Sequence, residues 1–189
     1  RIGEAWKNPP ERESLERQGE ELVRAVAGFL SGSRTVAEAD AEEVVSKAFD
    51  AFRESFDPDH GGFSGAPKFP LPVNQHFLLR FAARAEALAD PRGKTARDMA
   101  VRTLAALAAG GICDQLGGGF HRYSTDDRWH LPHFEKMLYD NAQLAVNFLE
   151  AHQLTGDPDL ARTARSTLDY LVRDLGNAQG GFFSAEDAD

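Results

Sequence analysis

Residues 117–143 read Gly-Gly-Gly-Phe-His-Arg-Tyr-Ser-Thr-Asp-Asp-Arg-Trp-His-Leu-Pro-His-Phe-Glu-Lys-Met-Leu-Tyr-Asp-Asn-Ala-Gln, and their Gly118-Gly119-Phe120 recurs as Gly61-Gly62-Phe63 and Gly180-Gly181-Phe182. The copies lie 57 and 62 residues apart, and each follows the second of two helix-patterned segments. That is a repeat of helix, short turn, helix and longer glycine-rich loop. One such pair cannot bury its apolar faces alone, so neighbouring pairs must stack, as an open row or as a closed ring whose loops share one end.

Apolar periodicity around the loops supports three pairs, at about residues 11–56, 72–109 and 132–175. The first holds Leu15, Leu22, Val23, Val26, Phe29 and Leu30, then Val44, Val45, Ala48, Phe49 and Phe52 behind an Asp40/Glu43 capping box. The second holds Val73, Phe77, Leu78, Phe81, Ala82, Ala85 and Leu88, then Met99, Leu104, Leu107 and Ala108. In the third, Pro132 opens a helix with Phe134, Leu138, Ala145, Phe148 and Leu149 on one face and Tyr139 and Val146 on another. A line of His133, Lys136, Asp140, Gln143 and Asn147 runs between them. Its partner buries Leu160, Ala161, Ala164, Leu168, Leu171, Val172 and Leu175 and turns Arg162, Arg165, Asp169 and Arg173 away. No strand-type alternation competes. The predicted fold is all-α, in a single domain over residues 1–189.

A formal net charge of −9 argues against a nucleic-acid surface, which needs a basic stripe. No apolar run approaches the roughly 18 residues of a membrane span, and no signal-peptide pattern opens the chain. The single cysteine, Cys113, cannot form an internal disulfide, which fits a reducing compartment; the expected location is the cytoplasm. Cys113 reads as a small buried residue rather than a nucleophile. The chain starts at Arg1 without a methionine, so a piece of a longer protein is expected.

The stretch 117–143 gathers three of the six histidines with aromatic and charged groups behind a flexible turn, the composition of a lined pocket. His121, His130 and His133 exchange protons near pH 7, with His121 and His133 the chosen acid and base. Glu135 or Asp140 would tune a histidine, and Lys136 and Arg122 would hold an enolate-like oxygen. Trp129 and Tyr123 offer flat faces for a sugar ring. Glu186 and Asp187, with Asp189, follow the third Gly-Gly-Phe and could reach the same rim. His130 and His133 are three apart, but Pro132 separates their faces and no His-Glu-x-x-His occurs, so neither a metal nor any cofactor is expected. His60, His76 and His152 have no cluster around them.

The stretches GGFHRYSTDDRWHLPHFEKMLYDNAQ (118–143), GGFSGAPKFPLPVN (61–74) and GGFFSAEDAD (180–189) resemble the thioredoxin-domain-containing family typified by spermatogenesis-associated protein 20. The resemblance implies an N-terminal thioredoxin-like domain followed by a six-hairpin α/α toroid similar to those of N-acylglucosamine and cellobiose 2-epimerases. Here no Cys-x-x-Cys and no strand-rich front occur, so the chain is expected to be about half a toroid without that domain. The resemblance implies a sugar epimerase or isomerase using paired histidines, acting on a sugar or similar small molecule. The alternative is a non-catalytic helical platform that binds a client protein together with the thioredoxin-like domain.

Overall fold

The computed structural model describes residues 6–31, 40–63 and 65–188. In chain order it has helices α1 (Pro9–Ser31), α2 (Ala41–Ser55), α3 (Pro72–Ala87) and α4 (Arg92–Ala109), strands β1 (Tyr123–Ser124), β2 (Pro132–His133) and β3 (Lys136–Met137), helices α5 (Leu138–Thr155) and α6 (Pro158–Tyr170), and strand β4 (Ala185–Glu186). The chain divides into two compact units, Arg1–Ala41 and Glu42–Asp189. In the first, α1 is the only described helix, and Leu22, Val23 and Val26 are exposed rather than forming the expected core face.

In the second unit α3 pairs with α4 and α5 with α6, while α3 lies beside α5. The pattern explains the core: Leu78, Phe81, Ala82 and Ala85 of α3 and Met99, Leu104 and Leu107 of α4 share helical faces and are all buried. Each fully buried Leu or Phe contributes about 1.5–3 kcal/mol. Phe49 of α2 stacks on Phe81 with centroids 4.6 Å apart, and Phe120 stacks on Phe148 of α5 at 5.4 Å. The described residues form no helix long and apolar enough to cross a membrane.

Val44, Val73, Leu88, Tyr139, Val146 and Leu149, placed on apolar faces by the sequence pattern, are exposed, and two further expectations need correction. Pro132 does not open a helix; α5 begins at Leu138. The segment before it is extended because its backbone groups pair with loops: β1 pairs with β2, β3 with β4, and the Arg122 N–H donates to Glu135 O at 2.7 Å. Proline suits the start of a short strand as well as that of a helix. His133 and Lys136 therefore leave the helical line, on which Asp140 and Asn147 are buried, and Phe134 is exposed. The second correction concerns Leu168 and Val172, which are exposed. The inward face of α6 carries Leu160, Ala164, Thr167 and Tyr170, which leaves Leu168 outside it, and the π-helical turn Leu171–Leu175 that follows keeps Leu171 and Leu175 inward and Val172 out.

The three Gly-Gly-Phe loops share one hydrogen-bond frame. The Asp57 N–H donates to Gly62 O and the Gly61 N–H to Asp57 O; Asp114 bonds Gly119 and Gly118 in the same way, and Asn177 bonds Gly181 and Gly180. In each loop the side-chain Oδ1 accepts the N–H two residues on, from Asp59, Leu116 and Gln179, at 2.9 Å. All six frame glycines have positive φ, which glycine alone adopts without strain. Gly119 is the tightest: a Cβ there would lie 2.4 Å from Tyr170 Cδ1. Gly119→Ala is expected to lose about 2 kcal/mol or more in urea unfolding, from φ strain and overpacking together.

Candidate functional site

The loops are joined by two buried ammonium groups. Lys68, fully buried, donates to Asp57 Oδ2 and to Asp127 O at 2.9 Å and lies 5.0 Å from the Trp129 ring centroid. Lys136, on β3, repeats the arrangement: it donates to Asp114 Oδ2 at 2.8 Å and Gly118 O at 3.1 Å and lies 4.4 Å from the Tyr170 centroid. Lys68 is bridged to Ser124 and Lys136 pairs with Glu186, positions equivalent in their loops. Burial alone would raise the Asp114 pKa, but the Lys136 ammonium and the N–H groups of Gly117 and Leu116 outweigh it and bring it to about 2. An ammonium so occupied holds backbone in place, and its hydrogens are already spoken for.

His121 sits directly after the second Gly-Gly-Phe and is 7% exposed. Its Nδ1 lies 3.0 Å from Phe134 O, and the Phe134 ring meets the imidazole edge-on at 5.1 Å. A nitrogen facing a carbonyl must carry the proton, so Nε2 keeps a free lone pair. Burial holds the His121 pKa below its ordinary value; Lys136 adds to this, while the Phe134 carbonyl, Asp114 and Glu186 oppose it. A neutral imidazole with one defined basic nitrogen is the form a general base needs.

Arg122 donates to Glu135 Oε2 at 2.7 Å, and His133 Nδ1 stands 3.7 Å from the same oxygen. The His133 ring stacks on Tyr123 at 4.9 Å, and Tyr123 meets Phe69 at 4.9 Å. The first turn of α5 places Asp140 beside this group, 8% exposed. Burial pushes its carboxyl up to about 6, with Arg122 pulling the other way. Asn141 ties the two halves: its Oδ1 accepts the Phe120 N–H at 2.6 Å and its Nδ2 donates to Phe120 O at 3.0 Å. His121 and Arg122 on the loop and Tyr139 and Asp140 on the helix thus flank one joint.

Other chosen residues lie elsewhere. Trp129 is buried, its indole N–H donating to His60 O at 2.9 Å, so neither ring face is open. Its backbone has φ 65°, held by the Ile112 N–H donating to its carbonyl and by Asp126, which accepts N–H groups on either side of it. His130 is exposed in that turn. Glu186 accepts the Tyr170 hydroxyl at 2.8 Å behind Lys136, while Asp187 caps the Ala188 N–H; Asp189 lies outside the described residues. Burial pushes the Cys113 thiol up to about 11, away from thiolate chemistry. Among the described residues no three His, Cys, Asp or Glu side chains group as metal ligands. Sequence reasoning missed Asp114, Asn141 and Tyr170. Of these only Asp114 leaves a signal, an Asp or Asn three or four residues before each Gly-Gly.

No family model matches the chain. Human spermatogenesis-associated protein 20 is 43% identical over 192 residues, covering 100% of the chain and 24% of that protein. The mouse protein of the same name is 48% identical over 151 residues, 80% of the chain and 19% of that protein. An uncharacterised Caenorhabditis elegans protein is 37% identical over 185 residues, 97% of the chain and 24% of that protein. The chain thus spans about a quarter or less of the length of these relatives. Among solved structures, the cellobiose 2-epimerase of Spirochaeta thermophila is 26% identical with a TM-score of 0.57, over 81% of this chain and 41% of that one. A sugar epimerase from a ruminal bacterium is 15% identical with a TM-score of 0.59, over 76% and 40%. The fold is all-α, built of helical hairpins, and amounts to about half of a six-hairpin α/α toroid.

Proposed function

From a chain homologous over its whole length to spermatogenesis-associated protein 20, we propose a carbohydrate epimerase or isomerase working by proton transfer beside a carbonyl. The observation that carries the reading is His121, its Nδ1–H fixed on Phe134 O and its pKa held below the ordinary value, next in the chain to Arg122, which acts on an Asp140 carboxyl pushed up to about 6. Two proton carriers set apart by their environments are the mark of acid–base chemistry. His121 Nε2 removes the proton from the carbon next to the carbonyl of an opened sugar, and the electron pair moves onto oxygen as an enediolate. Arg122 stabilises that charge. Asp140 returns a proton to the opposite face, giving the epimer, or to the neighbouring carbon once the hydroxyl proton has passed from one enediolate oxygen to the other, giving the isomer. The half-open stack of His133, Tyr123 and Phe69 gives the sugar ring its flat surface, with Glu135 steadying Arg122 and His133.

The exposed Leu168, Val172, Phe182 and Phe183 support further hairpins packing there in a longer protein, which would also bear the thioredoxin-like domain. The test is incorporation of solvent deuterium into a panel of aldoses and disaccharides by the full-length protein. Exchange is expected at the carbon next to the carbonyl, falling about 10²-fold or more in His121→Asn. Absence of exchange with every sugar removes the reading. The same exposed row favours a second reading, a platform for a client protein, in which alanine at His121 lowers Tm and leaves client capture intact.

A further inference from the structure

We propose that Lys136 is the positioning residue for His121: its clasp on Asp114 holds the Phe134 carbonyl that fixes the imidazole's tautomer. The inference rests on the reading of His121 as a base. Both ends of the His121–Phe134 hydrogen bond run to Asp114. On the histidine side, the Asp114 N–H donates to Gly119 O at 3.0 Å, and the His121 N–H donates to Ile112 O at 2.8 Å. On the acceptor side, Phe134 is two residues before Lys136, whose ammonium reaches Asp114 Oδ2 and Gly118 O. Between them the Arg122 N–H donates to Glu135 O, so the segment 134–136 is held at both ends. The pairing of His133 with Tyr123 and of Lys136 with Glu186 holds the strands on either side, and the clasp is the side-chain tie between that backbone and the Asp114 loop that carries His121.

The chain carries its own control. Lys68 makes the same clasp on Asp57, over Trp129 in place of Tyr170, but no histidine follows the first Gly-Gly-Phe. The clasp thus also occurs where no histidine follows the turn, the third loop closes around Asn177 with the same frame, and the middle loop joins the clasp to a base. The charged groups facing His121 are Lys136 on β3, Asp114 in the loop after α4, and Glu186 on β4.

The test is nitrogen-15 NMR of the His121 ring against pH, on the whole chain. In Lys136→Met the imidazole faces Asp114 and Glu186 without the ammonium, and its titration midpoint is expected to rise by about one pH unit. The double variant Lys136→Met/Asp114→Asn leaves no buried ion unpaired and keeps the test open if the single variant does not fold. There the single Nδ1–H pattern gives way to averaged nitrogen shifts. Lys68→Met/Asp57→Asn leaves the His121 spectrum as it is. An Nδ1–H pattern that survives in the double variant overturns the proposal, as does an unmoved midpoint in a folded single variant. Sugar exchange by His121→Asn decides whether His121 is a base, and the ring spectrum decides what positions it, so the two can fail separately.

Discussion

Asp140→Asn is expected to make the protein more stable at pH 8 and to abolish sugar exchange. The Asp140 carboxyl is 8% exposed and pushed from an ordinary 3.8 up to about 6. A rise of that size corresponds to about 3 kcal/mol between its protonated and ionised forms. The sign follows from the raised value. Below about pH 4 the group is protonated whether folded or unfolded and adds nothing. As pH rises from 4 through 6 the unfolded chain ionises first, and the folded state is penalised by the full amount above that. An amide carries no charge, so Asn removes the penalty. Since it must also find hydrogen-bond partners, the realised gain is expected to be about 1–2 kcal/mol. Urea midpoints of both proteins at pH 3 and pH 8 check this: the gain should be present at pH 8 and absent at pH 3. Equal gains at both would mean packing rather than charge. A carboxylate kept at such a disadvantage, where Asn fits the same space, is the pattern of a residue retained for chemistry.

What the sequence disclosed and what it hid divide along sequence distance. The three Gly-Gly-Phe loops were legible because only glycine accepts their backbone angles, and the cores of α3 and α4 because Leu78, Phe81, Met99 and Leu104 repeat at the helical period. The start of α5 was not, since Pro132 fits a strand as readily as a first helical turn; its partner Ser124 is local but shows no strand pattern, and Glu186, which pairs with Lys136, lies far along the chain. Trp129 looked like a sugar platform by residue type. Its burial comes from His60, 69 residues away, and from Gly62, where a Cβ would meet the indole at 2.7 Å. Of the candidate site, Arg122 acts on Asp140, and the loop that carries His121 and Arg122 is tied to the helix that carries Asp140 by Asn141, a residue with no local signal.

Asp57→Asn is expected to be among the most destabilising single changes in the second unit, by about 3–5 kcal/mol, because it leaves the fully buried Lys68 without a counter-ion. The amide can still accept the Asp59 N–H, as Asn177 accepts that of Gln179 in the third loop, so the turn itself is kept and the charge is isolated as the cause. Adding Lys68→Met should restore most of the loss, since an apolar chain of similar length needs no partner over the Trp129 ring. The coupling between the two changes, read from a double-mutant cycle in urea, is the measured quantity. Acid gives a second handle. Burial alone would raise the Asp57 pKa, but Lys68 and the N–H groups of His60 and Asp59 hold it at about 2. Its contribution is therefore whole at neutral pH and lost as pH falls from about 4 toward 2, where wild type also comes to hold a lone ammonium. The gap between wild type and Asp57→Asn should narrow over that range. A gap constant with pH would assign the loss to the amide's own misfit in the turn.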